Sequence, residues 1–257
     1  VPLPQISRTM RKAILAIEDY RFYEHGALDL KGTLRALITN KATGSQVQGG
    51  SSITQQLVKL TLLSQAKGKQ ERLEAIDDTY ARKIRELRYA IAIEQEYSKD
   101  WILERYLNTA YFGDGAYGIQ SAARHFFNVD AEDLNLRQSA LLAGLVKNPT
   151  RYDPTNYEDR SIDRRNVVLD RMAQLNVIST AQAEAAKSKG AGLDVQESDN
   201  GCLDSRAPFF CDYVVRYLKK DKSLGETTSE RKELIYSGGL TIRTTIDMDY
   251  QQAAQNS

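Results

Sequence analysis

Apolar residues recur at helical spacing along most of the chain. In the first such segment Met10, Ala13, Ile14 and Ile17 share one helix face, and Ser7 can cap the start of that helix. The same spacing predicts a second helix at 28–38 and further helices near 52–64, 76–97, 99–111, 117–127, 135–147, 158–175 and 179–188. Apolar and polar residues alternate only near the end, where Leu240, Ile242, Thr244 and Ile246 predict a strand.

These elements predict a mainly α protein with two parts. We expect a helical domain at 1–188, and a linker with the truncated start of a second domain at 189–257, where the strand gives a short α/β character. A chain of 257 residues is long enough to bury a full core. The glycine-containing stretch 39–50 predicts a flexible loop.

Composition narrows the function classes. The chain carries 35 Lys plus Arg against 34 Asp plus Glu, a balance that argues against general nucleic-acid binding. No apolar run approaches the roughly 18 residues of a membrane-spanning helix. The chain opens at Val1 without Met, so we expect a processed or truncated piece.

The polar side of the 52–64 helix is the most informative surface in the sequence. Ser52, Gln55, Gln56 and Lys59 follow Gly49 and Gly50 and share one face. The opposite, core-facing stripe consists of Ile53, Leu57 and Leu60. Hydroxyls, amides and one cation suit a polyhydroxyl ligand with a phosphate nearby. The plainer alternative is a capped surface helix.

Two carboxylates could take part in acid–base chemistry. Glu18 stands with Asp19 at the end of the first helix beside aromatic residues, so helix dipole and desolvation should both raise the pKa of Glu18 toward that of a general base. Glu86 follows Arg82 and Lys83 by one helical turn, and these cations favour its ionised form. Two carboxylates whose pKa values are shifted in opposite directions often divide the roles of acid and base, provided that they lie close together in the fold.

Each carboxylate also has a plainer interpretation. Glu18 can be an exposed residue at a helix end, and Glu86 can belong to a surface ion-pair helix that contributes little. The apolar stripe predicted for the 76–97 helix contains Tyr80, Ile84, Leu87 and Ile91. Glu86 and its two cations should therefore face away from the core.

Three short motif matches are rejected on context. The GxGxxG match at 113–118 follows a helical pattern, whereas a dinucleotide site needs a preceding strand. The SxxK match at 64–67 and the SDN match at 198–200 are two signatures of a serine acyl-transferase, but its KTG signature is missing.

The two cysteines, Cys202 and Cys211, leave two alternatives. They can be unrelated buried thiols or close a ten-residue disulfide loop, which would contribute about 2.5–3 kcal/mol in the chain-entropy model. We favour the disulfide. Zinc is disfavoured because CxxC spacing is absent and both histidines are distant in sequence.

Five ordered segments resemble the peptidoglycan glycosyltransferase domain of class A penicillin-binding proteins. The matching segments are 18–25, 50–59, 82–86, 106–123 and 142–154. Residues 201–257 resemble the region that joins this domain to the transpeptidase. The pattern departs from the family at Ala27, usually glycine, and at Ser52, usually threonine.

The resemblance implies a lysozyme-like helical lobe, a small membrane-facing jaw around 28–50, and lipid II as substrate. Glu18 would be the base that activates the acceptor sugar hydroxyl, and Glu86 would orient cations or hold a divalent ion such as magnesium. The cations implied at the pyrophosphate are Lys59, Arg82, Lys83 and Arg85. The other implied substrate contacts are Asp19, Phe22, Ser51, Ser52, Thr54, Gln55, Gln56 and Asn108.

The resemblance also implies a cellular location and partners for the domain. The domain would work on the outer face of the cytoplasmic membrane, held by a preceding transmembrane helix, with a growing glycan strand and a following transpeptidase domain as partners. A longer stretch between Lys59 and Arg82 than the family usually has leaves Lys67 and Arg72 as alternative pyrophosphate contacts. The competing functions are a lysozyme-like hydrolase or lytic transglycosylase, and a non-catalytic wall-binding scaffold.

Overall fold

The computed structural model describes residues 1–29, 51–66, 68–77, 79–196, 202, 205–237, 240 and 242–255. The chain divides into two compact units, Val1–Gln196 and Glu197–Ser257. The described residues are mainly helical, which confirms the predicted fold class. The predicted helix at 28–38 and the predicted jaw at 28–50 lie outside the described residues, apart from a non-helical start at Leu28 and Asp29.

The first unit contains nine helices in its described part. They are α1 Arg8–Glu18, α2 Ile53–Gln65, α3 Lys69–Ile76, α4 Tyr80–Glu96, α5 Lys99–Thr109, α6 Ile119–Phe127, α7 Leu136–Leu145, α8 Glu158–Gln174 and α9 Thr180–Lys187. Among the described helices, none combines the length and the apolar character that a bilayer crossing requires.

The core lies where α1, α7 and α8 pack together. Met10 and Ile14 of the predicted α1 stripe are fully buried, and Leu142 of α7 and Leu169 of α8 meet them in the same cluster. The side-chain oxygen of Ser7 caps α1 by accepting from the Thr9 amide, as the sequence predicts. This packing fixes the C-terminal end of α1, where Glu18 lies.

The predicted helix at 76–97 is two helices in the structure. The helix α3 ends at Ile76, and α4 begins at Tyr80 with the Thr79 side chain as its N-cap. The hydroxyl of Thr79 accepts from the Arg82 amide, so an N-cap replaces the predicted continuous helix at this point.

The predicted orientation of α4 is wrong. Tyr80 is 92% exposed, and Ile84 and Ile91 are exposed as well, whereas Arg82 and Glu86 are buried. Among the described helices, α4 packs chiefly on α2. It meets α2 through Ala90 and the partly buried Leu87 and Ile93, which pack in one cluster with Val58, so Leu87 alone of the predicted stripe faces inward.

A tight turn connects α5 to α6. Tyr111 and Tyr117 form a bridge across it, and Gly118 begins the next helix with φ of +82°. A Cβ atom on Gly118 would lie 2.7 Å from the carbonyl oxygen of Asn108. The helix that precedes the GxGxxG match agrees with its rejection as a dinucleotide site.

The second unit contains helices that the sequence analysis missed: α10 Pro208–Leu218, α11 Thr228–Ser237 and α12 Met248–Gln255. Cys202 and Cys211 form a disulfide. The guanidinium of Arg231 donates to the carbonyl oxygens of Lys219, Gly225 and Glu226, which ties α11 to the loop before it.

The predicted strand at 240–246 is wrong. Its described residues have no regular structure, and within the described part of the chain no strand pairs with it. Alternation alone does not make a strand, because the backbone needs a neighbouring strand for its hydrogen bonds.

Two glycine substitutions test the turn. Gly118→Ala should destabilise the fold by about 2–5 kcal/mol, because the left-handed backbone and the contact with Asn108 oxygen both oppose a Cβ. Gly115→Ala is the matched control, since φ there is +75° but the space is open, and it should cost only about 1–2 kcal/mol. Urea unfolding measures both. Equal losses would contradict the clash.

Candidate active site

Glu18 is the last residue of α1, and its side chain points toward α2. The Nε2 atom of Gln56 donates a hydrogen bond of 2.9 Å to its Oε2 atom. Gln56 in turn accepts a bond of 3.0 Å from the hydroxyl of Tyr106 in α5. The carboxylate therefore belongs to a connected set of side chains from three helices.

Glu18 is half-buried, and desolvation by the surrounding protein raises the pKa of its carboxyl above the ordinary value of 4.5. The hydrogen bond from Gln56 and the charges of Arg164 and Lys147 lower the pKa again in part, and neighbouring Asp19 raises it. The direction agrees with the sequence analysis. A carboxylate with a raised pKa accepts protons more readily, as a general base must.

Arg164 and Lys147 supply the positive charge near Glu18. Arg164 lies on α8, and its Nε donates to the carbonyl oxygen of Gly144, whose missing side chain leaves room for it. Both cations line a cavity of about 370 Å³, together with Arg151 and Arg160. This surface suits an anionic ligand beside the base.

Asp19 is committed to contacts within the protein. Its Oδ1 atom lies 2.7 Å from Nε2 of His25, and its Oδ2 atom accepts from the Ile53 amide at 3.1 Å. Burial raises the pKa of Asp19, and the hydrogen bond from His25 opposes that shift. Asp19 thereby fixes the start of α2 against the end of α1.

The polar face predicted for α2 is split in the structure. Ser52 and Gln55 are buried, and both donate to the carbonyl oxygen of Ala27. Ser52 also caps α2. Gln56 and Lys59 remain partly exposed, so these two are left to meet a ligand. The ligand-binding role predicted for this face stays a prediction, and the carbonyl oxygen of Ala27 already takes up Ser52 and Gln55.

The cationic segment of α4 approaches the start of α2. Arg82 and Lys83 both pair with Glu86, the first through Oε1 and the second at 3.6 Å from Oε2. Lys83 also donates to the hydroxyl of Ser51 at 2.9 Å. Arg85 is exposed on the same helix. These contacts bring four predicted site residues together at one end of α2.

Three other predicted residues have internal partners. Thr54 is fully buried and bonds to Glu94, and Phe22 is buried under the ammonium group of Lys99. Asn108 holds both the amino group and the carbonyl oxygen of Val1. Lys67 and the side chain of Arg72, the alternative pyrophosphate contacts, lie outside what the structure describes.

Within the described residues, one cluster has a metal-like arrangement. Asp19, His25 and Asp29 place their ligand atoms within 4.8 Å of one another. Arg21 already pairs with Asp29, and Asp19 has partners at both oxygens. These side chains satisfy one another, so the cluster fits a hydrogen-bonded network better than a cation site.

Sequence reasoning missed Lys147, Arg164 and Tyr106 as members of the site. One signal was available for Arg164, since it falls at helical spacing with the buried residues Val168 and Met172. A cation on the apolar face of a helix has to meet a partner inside the protein. The other two carry no comparable signal, because neighbours distant in sequence create their environments.

A half-buried carboxylate with an elevated pKa, held by an amide and near two cations, is an arrangement suited to acid–base chemistry beside an anionic group. The chain belongs to the transglycosylase family, whose sequence profile matches residues 1–173.

Known relatives agree with this assignment. The chain is 35% identical to penicillin-binding protein 1F of Bacillus subtilis over 99% of its own length and 33% of the relative. It is 37% identical to penicillin-binding protein 1A of Aquifex aeolicus over 100% of its length and 32% of the relative. The chain thus spans about a third of these relatives. Penicillin-binding protein 1A of Haemophilus influenzae, a solved structure, aligns at 23% identity over 65% of this chain and 21% of that chain, with a TM-score of 0.40.

The elevated pKa of Glu18 predicts a pH-dependent stability change. The folded state holds the proton more tightly than the unfolded chain, so the ionised carboxylate destabilises the fold above its folded pKa, and this cost vanishes below the unfolded value of 4.5. Glu18→Gln should therefore be more stable than the wild type at pH 8, with the difference shrinking toward pH 4. Urea unfolding at several pH values measures this difference.

Glu24→Gln is the matched control, because Glu24 is exposed. It should change stability little at either pH. A Glu18→Gln gain that is the same at pH 4 and pH 8 would contradict an elevated pKa.

Proposed function

We propose that this domain polymerises lipid II into glycan strands, with Glu18 as the general base. The observation that carries the proposal is the half-buried Glu18 carboxylate with its raised pKa, which is bonded to Gln56 and lies near Arg164 and Lys147. Family membership supports the reaction class.

In this mechanism Glu18 takes the proton from the acceptor's sugar hydroxyl. The oxygen then attacks the anomeric carbon of the growing chain, the configuration inverts, and the lipid pyrophosphate leaves. The elevated pKa supports the role of Glu18, because a base works best when its pKa approaches the working pH. Gln56 is partly exposed and bonded to Glu18, so a change in the protonation of Glu18 can alter the contact of Gln56 with a bound sugar.

Cations on α2 and α4, and others near Glu18, would offset the negative charge of the lipid pyrophosphate groups of the substrates. Lys59 lies midway along α2 and Lys83 on α4, while Lys147 and Arg164 lie near Glu18. Fixed positive charge directed at a developing anion is an effective form of catalysis. A hydrolase that cuts glycan needs a proton donor and no such set of cations, so these side chains favour the transferase.

Glu86 would act as a positioning residue for the cations. Arg82 and Lys83 pair with its two oxygens. Magnesium at Glu86 stays a prediction. Arg82 is buried in this pair and would act on substrate mainly by keeping Glu86 and Lys83 in place.

We further propose that the domain works on the outer face of the cytoplasmic membrane. The outer face of α4 exposes Tyr80, Ile84 and Tyr89 alongside Arg85 and Arg88. Tyrosines with cations are typical of an interface with anionic lipid headgroups. In the full-length protein the proposed partners are a membrane anchor and a transpeptidase domain.

Substitution of the base tests the mechanism. Glu18→Gln keeps the size of the side chain but cannot accept a proton at neutral pH. It should lower the rate of lipid II polymerisation by roughly 10²–10⁴-fold while a phosphoglycolipid inhibitor still binds. Glu24→Gln should retain the wild-type rate. More than a few per cent of wild-type activity in Glu18→Gln would remove this residue from the base role.

Substitution of Lys59 tests the anion contacts. Loss of one charge-assisted contact in Lys59→Ala should weaken binding of a phosphate-bearing substrate or inhibitor by about 1.5–3 kcal/mol. Lys12→Ala, on the exposed side of α1, is the control and should bind normally. Unchanged affinity in Lys59→Ala would mean that Lys59 is an ordinary surface cation. Titration calorimetry or fluorescence anisotropy provides the affinities.

A further inference from the structure

Tyr106 is a buried phenol that lies behind the base. Its side chain is 0% exposed in the last turn of α5, next to the fully buried Leu103 and Leu107. A buried hydroxyl is costly unless it has a hydrogen-bond partner. Its partner is the Oε1 atom of Gln56 at 3.0 Å.

The amide of Gln56 lies between two groups. Its oxygen accepts from Tyr106, and its nitrogen donates to Oε2 of Glu18 at 2.9 Å. An ionised carboxylate can only accept, so it requires the nitrogen side of the amide. The contact with Tyr106 holds the amide with that side toward Glu18.

A tyrosine suits this position because its hydroxyl can either donate or accept. When Glu18 carries a proton, the carboxyl can donate to an amide oxygen, and a turned Gln56 amide would then donate to the Tyr106 oxygen. The same hydroxyl therefore holds Gln56 against the base before and after proton transfer. A phenylalanine would fill the same space without holding the amide in either state.

We propose that Tyr106 is a positioning residue of the active site, which acts on the base Glu18 through the amide of Gln56. The chain Tyr106–Gln56–Glu18 joins α5, α2 and α1, so it also couples the packing of three helices to the state of the base. The inference rests on the proposed function for its catalytic meaning, and on hydrogen-bond geometry alone for the coupling.

The electrostatic surroundings make the coupling measurable. The charged groups that face Glu18 are Asp19 at the end of its own helix, Arg164 on α8 and Lys147 after α7. Tyr106→Phe alters none of these charges. The hydrogen bond from Gln56 stabilises the ionised form, so weakening it should raise the pKa of Glu18.

The test compares the wild type with Tyr106→Phe, Gln56→Ala and the double variant. The carboxyl of Glu18 is titrated by ¹³C NMR, with Glu18→Gln identifying its signal, and polymerisation of lipid II is followed across pH. Tyr106→Phe should shift both the NMR midpoint and the acidic limb of kcat/KM upward by about 0.5–1 pH unit. It should also lower kcat at neutral pH with little change in KM.

A comparison of the pKa shifts in the single and double variants shows whether Tyr106 acts through Gln56. In the Gln56→Ala background Tyr106→Phe should shift the Glu18 midpoint no further, because Gln56→Ala already removes the link between Tyr106 and Glu18. Tyr111→Phe, which removes a hydroxyl that accepts from the Gly115 amide, is the control and should leave both profiles unchanged. An unshifted midpoint in folded Tyr106→Phe, or a full additional shift in the double variant, would overturn the proposal.

The NMR arm separates this inference from the proposed function. If the wild type makes no polymer but Tyr106→Phe shifts the Glu18 midpoint through Gln56, the proposed reaction fails and the positioning contact stands. If polymerisation proceeds and the midpoint does not move, the reaction stands and the positioning contact fails.

Discussion

The structure depends on partly desolvating the Glu18 carboxylate while leaving it able to ionise. Burial alone would hold it protonated, and full exposure would leave it too weak a base. The neutral donor Gln56 and the cations Arg164 and Lys147 balance the burial. Gln56, Arg164 and Lys147 come from different parts of the first unit, so the fold has to bring all three close to this one carboxyl.

The same requirement explains how the helices are arranged. The core between α1, α7 and α8 fixes the end of α1, and the contacts of Asp19 fix the start of α2 beside it. The helix α4 then presents Arg82 and Glu86 inward. Tyr80, Ile84 and Ile91 remain outside, while Ala90, Leu87 and Ile93 pack on α2. The buried face of α4 therefore combines an ion pair with apolar contacts.

Local patterns predicted most helices of the first unit, the cap at Ser7, and the position of Glu18, because these depend on residues close in sequence. They failed wherever residues distant in sequence determine the local structure. The orientation of α4 depends on what α2 offers it, and the strand at 240–246 needed a pairing partner. The environments of Tyr106 and Lys147 arise only on folding. Arg164 was recognisable as a cation on a buried helix face, but its proximity to Glu18 was not.

Product analysis tests the central claim most directly. The purified chain is incubated with lipid II in one reaction and with preformed glycan strands in another, and the products of both are identified by mass spectrometry. Our account predicts glycan polymer and released undecaprenyl pyrophosphate from lipid II, and intact strands in the second reaction. Cleavage of the preformed strands would indicate a hydrolase or lytic transglycosylase. Binding without any reaction would indicate a scaffold, and either result would contradict a base built for glycan polymerisation.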